Sequence, residues 1–511
     1  MTFLTAEPNE KLEDAPQKTN ALISVAEIDT GAELAAGVSE ELVPEEALRI
    51  RRKIDRHILP LMCTLYAIQF MDKTAIGSAS IMGIREATHL TTDQLGTIFC
   101  VSYFIFQFPQ NLCLQRFPVA KWLSFNILVW GAALMAHAAC KNFVGLLIAR
   151  FVLGTCEGSI TSGFLIVTSM FYTRSEQTLR VGWWFLMNGA AIIVVSFVSV
   201  GTLHIRTGSF EPWQWLMVIL GGVTVITALA FWLFFPDSPT TAWFLTKEER
   251  IKVFGSLTPN DFFVSHIHIR ITKLGMIEAL KDPKTWLFAL FFCIGNIPNS
   301  LTIQRNIIIT SFGFTVLQTL LLGCIDGVIE IVVIWTGVKI VSAYTAAIFT
   351  IPNIVGFFLI IFLPWNNKIG LLVGLWIMGF GTTTYVLVLS WISRVTAGHT
   401  KKITVNVIMF CAYCIGNALG PLMWKTEYQP RNTVPWTIIA MCYVIRMIIP
   451  LILRVMMDRE NKRRDVEDRD ITYDEVYIER PDEKGVVERV RVDKEFLDLT
   501  DIQNRDFRYV L

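Results

Sequence analysis

Residues 143–171 read FVGLLIARFVLGTCEGSITSGFLIVTSMF, a run of 29 in which only Arg150 and Glu157 are charged. A bilayer's hydrocarbon core is ~30 Å thick and a helix rises about 1.5 Å per residue, so roughly 20 such residues cross it. Runs of the same kind recur on both sides. On the N-terminal side of a polar stretch at 236–284 they fall at 58–82, 94–114, 122–139, 181–203 and 215–235. Beyond it they fall at 285–312, 315–338, 343–363, 369–392, 403–424 and 435–457. The pattern predicts an all-α membrane protein with twelve transmembrane helices in two six-helix bundles, 46–235 and 285–457. A middle loop at 236–284 joins them, and polar tails at 1–45 and 458–511 flank them. In the second tail, 486–492 alternates apolar and polar residues, which predicts a short strand.

Composition agrees. Of 511 residues, 53% are hydrophobic and only 17% charged, against about 25% charged in ordinary soluble domains. The formal net charge of +1 leaves no basic excess to drive nucleic-acid binding. The ten cysteines lie almost entirely inside apolar runs, so they read as small buried residues rather than a disulfide framework. Residues 1–45 are acidic, lack the parts of a secretory signal and cannot bury a core, so a disordered cytosolic tail is expected there.

Lys and Arg cluster before the first run (Arg49, Arg51, Arg52, Lys53, Arg56), in the middle loop, near Lys339, Arg394, Lys401 and Lys402, and after the last run. The opposite face has only Arg85, Lys141, Arg206, Arg305, Lys368, Lys425 and Arg431. That asymmetry places both termini in the cytosol.

Function is sought where the bilayer penalises a residue, because a central Asp, Lys or Arg costs about 2.5–3.5 kcal/mol on insertion scales. Asp72 and Lys73 lie roughly 21 Å into the first run. Neighbours on a helix point about 100° apart, so the two cannot simply pair with each other; an inter-helix ion pair and a direct role in coupling or substrate contact both remain open. Arg150 and Glu157 are seven residues apart and share a helix face. A guanidinium on a cavity face suits a carboxylate substrate, and a packing pair between helices is the alternative. Asp326 and Glu330 sit at i and i+4. Two carboxylates so placed in a low dielectric cannot both stay ionised, and a proton held by one of them is what proton coupling needs; a bond to a neighbouring helix is the other reading. Arg305 is either a snorkelling interfacial cation or a second anion contact. Asn188, Asn296, Asn299 and Gln304 are polar groups that line a cavity or join helices. Gly295, Asn296 and Pro298 weaken the seventh helix locally.

Other chemistry is not indicated. Cys411 and Cys414 form a C-x-x-C inside an apolar run, His266 and His268 stand without further ligands, and no phosphate loop or hydrolase elbow occurs. The expectation is neither an enzyme nor a metal or cofactor protein. Without a nucleotide site, transport would be driven by a gradient.

Specific strings carry a resemblance. They are QFMDKTAIG from Gln69, LQRFPVAKWL from Leu114, ARFVLGTCE from Ala149, FYTRSEQ from Phe171, PDSPTTAWFLTKEER from Pro236 and DPKTW from Asp282. AGHTKK from Ala397, GNALGP from Gly416, ENKRRD from Glu460 and DLTDIQNRDFRY from Asp498 follow. From about residue 45 to the end the chain resembles the allantoate permease family of fungal anion:cation symporters, within the major facilitator superfamily. The resemblance implies a cavity between two rocking bundles, small organic anions as substrates (allantoate, ureidosuccinate, vitamins such as nicotinate or pantothenate, or short peptides), protons as the coupled ion and a plasma-membrane location. One departure falls in the cavity region: Gln304-Arg305-Asn306 stands where relatives have a Gly-rich stretch.

The expected protein is a monomeric secondary transporter in a lipid bilayer, moving a small organic anion with protons. Arg150, Arg305, Asn188 and Lys73 are its candidate substrate contacts; Asp72, Glu157, Asp326 and Glu330 are its candidates for coupling or gating. An exporter of an acidic metabolite, and a nutrient sensor that binds without carrying, are the other readings.

Overall fold

The computed structural model describes residues 21–22, 44–88, 94–205, 210–250, 273–338, 343–428, 431–467, 476–481, 487–492 and 499–511. Most of the expected N-terminal tail, His266, His268 and Lys339 lie outside the described residues.

The first six spans are Leu59–Ile81, Gln94–Arg116, Val119–His137, Phe143–Phe171, Arg174–Leu203 and Pro212–Phe234. The seventh is Pro283–Asn296 continued by Leu301–Ser311 across a 3-10 turn at Pro298–Ser300. Proline there removes an amide donor, so the break falls where Gly295, Asn296 and Pro298 stand together. The eighth is Val316–Val338, the ninth Ala343–Ile348 with Ile351–Phe362, and the tenth Lys368–Ile377 with Gly381–Val395. His399–Leu422 and Thr433–Arg464 complete the twelve. Among the described residues, nine helices are long and apolar enough to cross a bilayer by themselves. The first is not one of them; it carries Gln69, Asp72 and Lys73. The ninth is short because it is interrupted after Ile348.

Local chemistry sets the ends. The Asn142 side chain accepts the Gly145 amide at 3.0 Å to start the fourth span, and Asn367 does the same for Gly370 in the tenth. Asp282 caps the seventh by accepting the Lys284 amide at 3.0 Å, with Pro283 at the first helical position. The fifth span begins two turns before its expected start at 181. Those turns carry charges that are paired: Arg51 meets Glu176 at 2.8 Å and Arg180 meets Asp55 at 2.9 Å, both from the flanking helix Pro44–His57.

Packing is tight where glycines face each other, which is how helices associate when lipid removes the hydrophobic drive between them. A Cβ added to Gly221 of the sixth span would lie 2.9 Å from the Gly131 carbonyl oxygen of the third. Outward, large apolar side chains such as Ile226, Leu233, Phe362 and Ile369 are exposed, as a lipid-facing belt requires.

The halves meet along three seams. Gly189 of the fifth span crosses Gly327 of the eighth, backbone against backbone. Tyr103 of the second lies 6.0 Å from Tyr413 of the eleventh, ring centre to ring centre. Asn306 of the seventh donates to Ser78 of the first at 3.4 Å. Three short strands lie in the tails: β1 (Ala21–Leu22) runs parallel to β2 (Val476–Pro481), which pairs antiparallel with β3 (Val487–Val492) in the register Val476 to Val492.

Candidate functional site: a charged cavity between the two halves

A cavity of about 220 Å³, partly open to solvent, lies between the bundles. Its first-half wall includes Tyr66, Lys73, Tyr103 and Asn188; its second-half wall includes Arg305, Asp326, Glu330, Tyr385, Tyr413 and Arg446. A smaller chamber beside it shares Phe70, Lys73, Tyr103 and Tyr413 and adds Asp72, Arg150 and Glu157. The eight residues singled out from sequence thus border these two adjacent spaces. Asn296 and Asn299 also line the larger one, whereas Gln304 is buried outside both linings.

The smaller chamber holds a cluster that crosses from the first span to the fourth. Lys73 meets Glu157 at 2.9 Å. Asp72, its sequence neighbour, lies within reach of Glu157, Arg150 and Trp130 as well as of Lys73. Arg150 is 4% exposed and is flanked by Asp72 and Glu157. Four alternating charges in so small a volume neutralise one another, which is the condition for keeping buried ions. Arg150 therefore comes to the chamber with two carboxyls acting on it, though it forms no salt bridge among the described residues.

The second-half wall is arranged differently. Arg305 forms an ion pair with Asp326 and donates to the Leu375 carbonyl at 2.8 Å. It lines the cavity, so it is not a snorkelling residue at the lipid surface. Glu330, one turn on, faces Asn188 across the seam and Thr382 of the tenth span; among the described residues it has no salt bridge. The Gly189–Gly327 crossing brings the fifth and eighth spans close enough for Asn188 to reach it. Asp326 and Glu330 share a helix face, and the protein separates their roles by giving one a cation and the other neutral polar groups.

Arg446, on the twelfth span, was not among the residues singled out from sequence. It is 4% exposed, donates to the Gly381 carbonyl at 2.9 Å and stands 5.1 Å from the Phe291 ring centre. The signal that would have found it is the same insertion penalty applied to Asp72 and Arg150: an arginine near the middle of an apolar run.

The family model described as Major Facilitator Superfamily matches residues 62–421. This chain belongs to that superfamily. Within it, the chain is 32% identical to the allantoate permease of Saccharomyces cerevisiae, an alignment covering 99% of this chain and 94% of the relative. It therefore stands in the allantoate permease family. A thiamine pathway transporter of the same yeast is 31% identical, covering 92% of this chain and 87% of the relative. The solved proton:xylose symporter XylE, bound to 6-bromo-6-deoxy-D-glucose, shares the fold with a TM-score of 0.58 at 13% identity, over 78% of this chain and 94% of the other. This facilitator is a multi-pass membrane transporter and not an enzyme.

Proposed function

We propose that this facilitator moves a small organic anion together with protons, by alternating access of the cavity to the two sides of the membrane. The observation that carries the reading is the cavity itself: cations and carboxyls that the bilayer penalises are gathered on one wet surface between two bundles able to rock about it. Small carboxylates agree with that wall, which presents Lys73, Arg305 and Arg446 to the space. The likeness to an allantoate permease points the same way.

In this scheme Glu330 carries the coupled proton, because it is the carboxyl of the larger cavity without a salt bridge among the described residues. Asp326, which we assign to gating, holds Arg305 at the cavity wall through a pair within the second half. Lys73 and Glu157 link the main cavity to the Asp72–Arg150 cluster, which we assign to gating. We place both termini in the cytosol, from the asymmetry of basic residues, take the carrier as a monomer, and assign it to the plasma membrane.

The test is uptake into proteoliposomes under an inward proton gradient, with allantoate, ureidosuccinate, nicotinate and pantothenate as the panel. Accumulation of at least one anion, abolished by a protonophore, is expected. Binding without accumulation would identify a sensor, and accumulation only when the gradient is reversed would identify an exporter.

A further inference from the structure

Arg446 differs from every other cation around the cavity. Lys73 is paired with Glu157 and Arg305 with Asp326, and Arg150, though it forms no salt bridge among the described residues, lies in the field of Asp72 and Glu157. The groups acting electrostatically on Arg446 are the neutral phenols of Tyr385 and Tyr443. No carboxylate forms a salt bridge with it among the described residues. Its Nη2 is used by the Gly381 carbonyl, and its Nε has no hydrogen-bond partner. The surroundings make room for the group: a Cβ at Gly295 would lie 3.2 Å from that Nε, and one at Gly381 3.6 Å from Nη1. A guanidinium is bidentate toward a carboxylate, and a desolvated cation without a counter-ion is costly. A buried arginine that lines a solute cavity and has no acid beside it is therefore built to receive one.

Charge accounting extends the point. Around the two chambers stand four cations, Lys73, Arg150, Arg305 and Arg446, and four carboxyls, Asp72, Glu157, Asp326 and Glu330. The lining of the empty chambers sums to zero charge when all eight are ionised. Adding one proton and one monoanion keeps it neutral; adding either alone leaves a net charge inside the membrane.

Resting on the proposed anion–proton reading, we infer that Arg446 binds the carboxylate of a monocarboxylate substrate, and that the carrier moves one proton with each monoanion without net charge. The half-loaded carrier would have to close over an unmatched charge, so its reorientation is the slow, disfavoured step. A dianion needs a second proton or leaves the cavity negative, so it is the poorer cargo.

The experiment uses the full chain in proteoliposomes with the same panel. Nicotinate, pantothenate and allantoate serve as the monoanions and ureidosuccinate as the dianion. For whichever monoanion is accumulated, Arg446→Gln should raise KM at least tenfold, and Arg446→Lys, which keeps the charge and loses the fork, should raise it less. Arg446 also anchors Gly381, so a merely structural role would instead lower Vmax or folded yield and leave KM alone. If Arg446→Gln does not fold, the KM of Arg446→Lys decides. At fixed pH gradient, a potassium diffusion potential imposed with valinomycin should leave monoanion uptake unchanged. Unchanged KM in the variants would overturn the assignment of Arg446, and potential-driven uptake would overturn the one-to-one coupling, while the symport reading survives both. Failure of the wild type to accumulate any panel member would overturn that reading and this inference together.

Discussion

The Asp72–Lys73–Arg150–Glu157 cluster of the first half and the Arg305–Asp326–Glu330–Arg446 group of the second are made of the same residue types, yet they are wired differently. In the first, Lys73 and Glu157 form a salt bridge, Asp72 and Arg150 lie within the field of opposite charges, and Asp72, Arg150 and Glu157 are all under 5% exposed. In the second, one pair is also formed, but Glu330 and Arg446 face the larger cavity without a salt bridge among the described residues, and the groups acting on Arg446 include no carboxylate. Saturated charges hold helices in place; unsaturated ones can exchange a proton or an ion with the lumen. Which of these a buried charge does depends on whether its counter-charge is supplied by the protein.

The largest expected effect tests the saturated cluster. Arg150→Gln leaves Asp72 without its nearest guanidinium while Glu157 keeps Lys73, and breaking a buried network from one side costs about 3–5 kcal/mol. We expect loss of most folded, monodisperse protein in detergent. The double replacement Asp72→Asn with Arg150→Gln should recover part of it, because it removes one of the stranded charges. If Arg150→Gln stayed as stable as the wild type and lost only substrate affinity, Arg150 would belong with the cavity contacts instead.

Next is Glu330. Glu330→Gln keeps an acceptor and a donor facing Asn188 and Thr382 while removing the titratable site. Proton-driven accumulation should fall by at least tenfold, whereas exchange of labelled for unlabelled substrate at equal pH should persist. Equal loss of both activities would mean that the residue holds the seam rather than the proton. The seam itself gives a smaller effect. Gly327→Ala sets a Cβ 2.5 Å from the Gly189 carbonyl oxygen and 2.6 Å from Ile193, an overpacking cost of about 1–3 kcal/mol. A thermal midpoint lowered with little change in KM is the expected reading.

The twelve spans were legible because hydropathy over 20 residues is a strong signal and the bilayer permits few alternatives. Charged residues inside those spans were legible as costly, but their partners were not. Arg150 reads as a candidate anion contact because a guanidinium on a cavity face suits a carboxylate, while Asp72, which approaches from another helix, is far away in sequence. Arg446 escaped notice although the same penalty applied to it. The helix ends at 174 and 464 were missed because their charges are compensated by distant segments. Several strings behind the family resemblance converge on one place. Lys401 of AGHTKK is 1% exposed and meets Asp282 of DPKTW at 2.9 Å and Asp501 of DLTDIQNRDFRY at 2.8 Å. Lys284 reaches Asp501 at 2.6 Å, and Asn461 of ENKRRD donates to the Tyr509 carbonyl at 2.8 Å. What looked like a signature of function is in large part a clasp that fastens the C-terminal segment to the seventh, eleventh and twelfth spans.

That clasp sharpens the comparison from outside the cavity, since it is a saturated charge cluster with no solute pathway beside it. Burial alone would raise the Asp501 carboxyl, but Lys284 and Lys401 outweigh it and hold the group below the usual carboxylate range. A carboxylate whose folded-state value is depressed adds stability above its unfolded value, near 3.9, and that contribution is lost as pH falls through the folded value. Asp501→Asn should therefore lower the thermal midpoint at pH 7, and the gap from the wild type should narrow as the pH is brought below about 4. The same substitution should leave KM and the proton dependence of uptake unchanged, since nothing in the clasp touches the cavity wall. A shift in either transport parameter would mean that the saturated clusters also report on the state of the carrier, and the division between holding charges and exchanging charges would have to be redrawn.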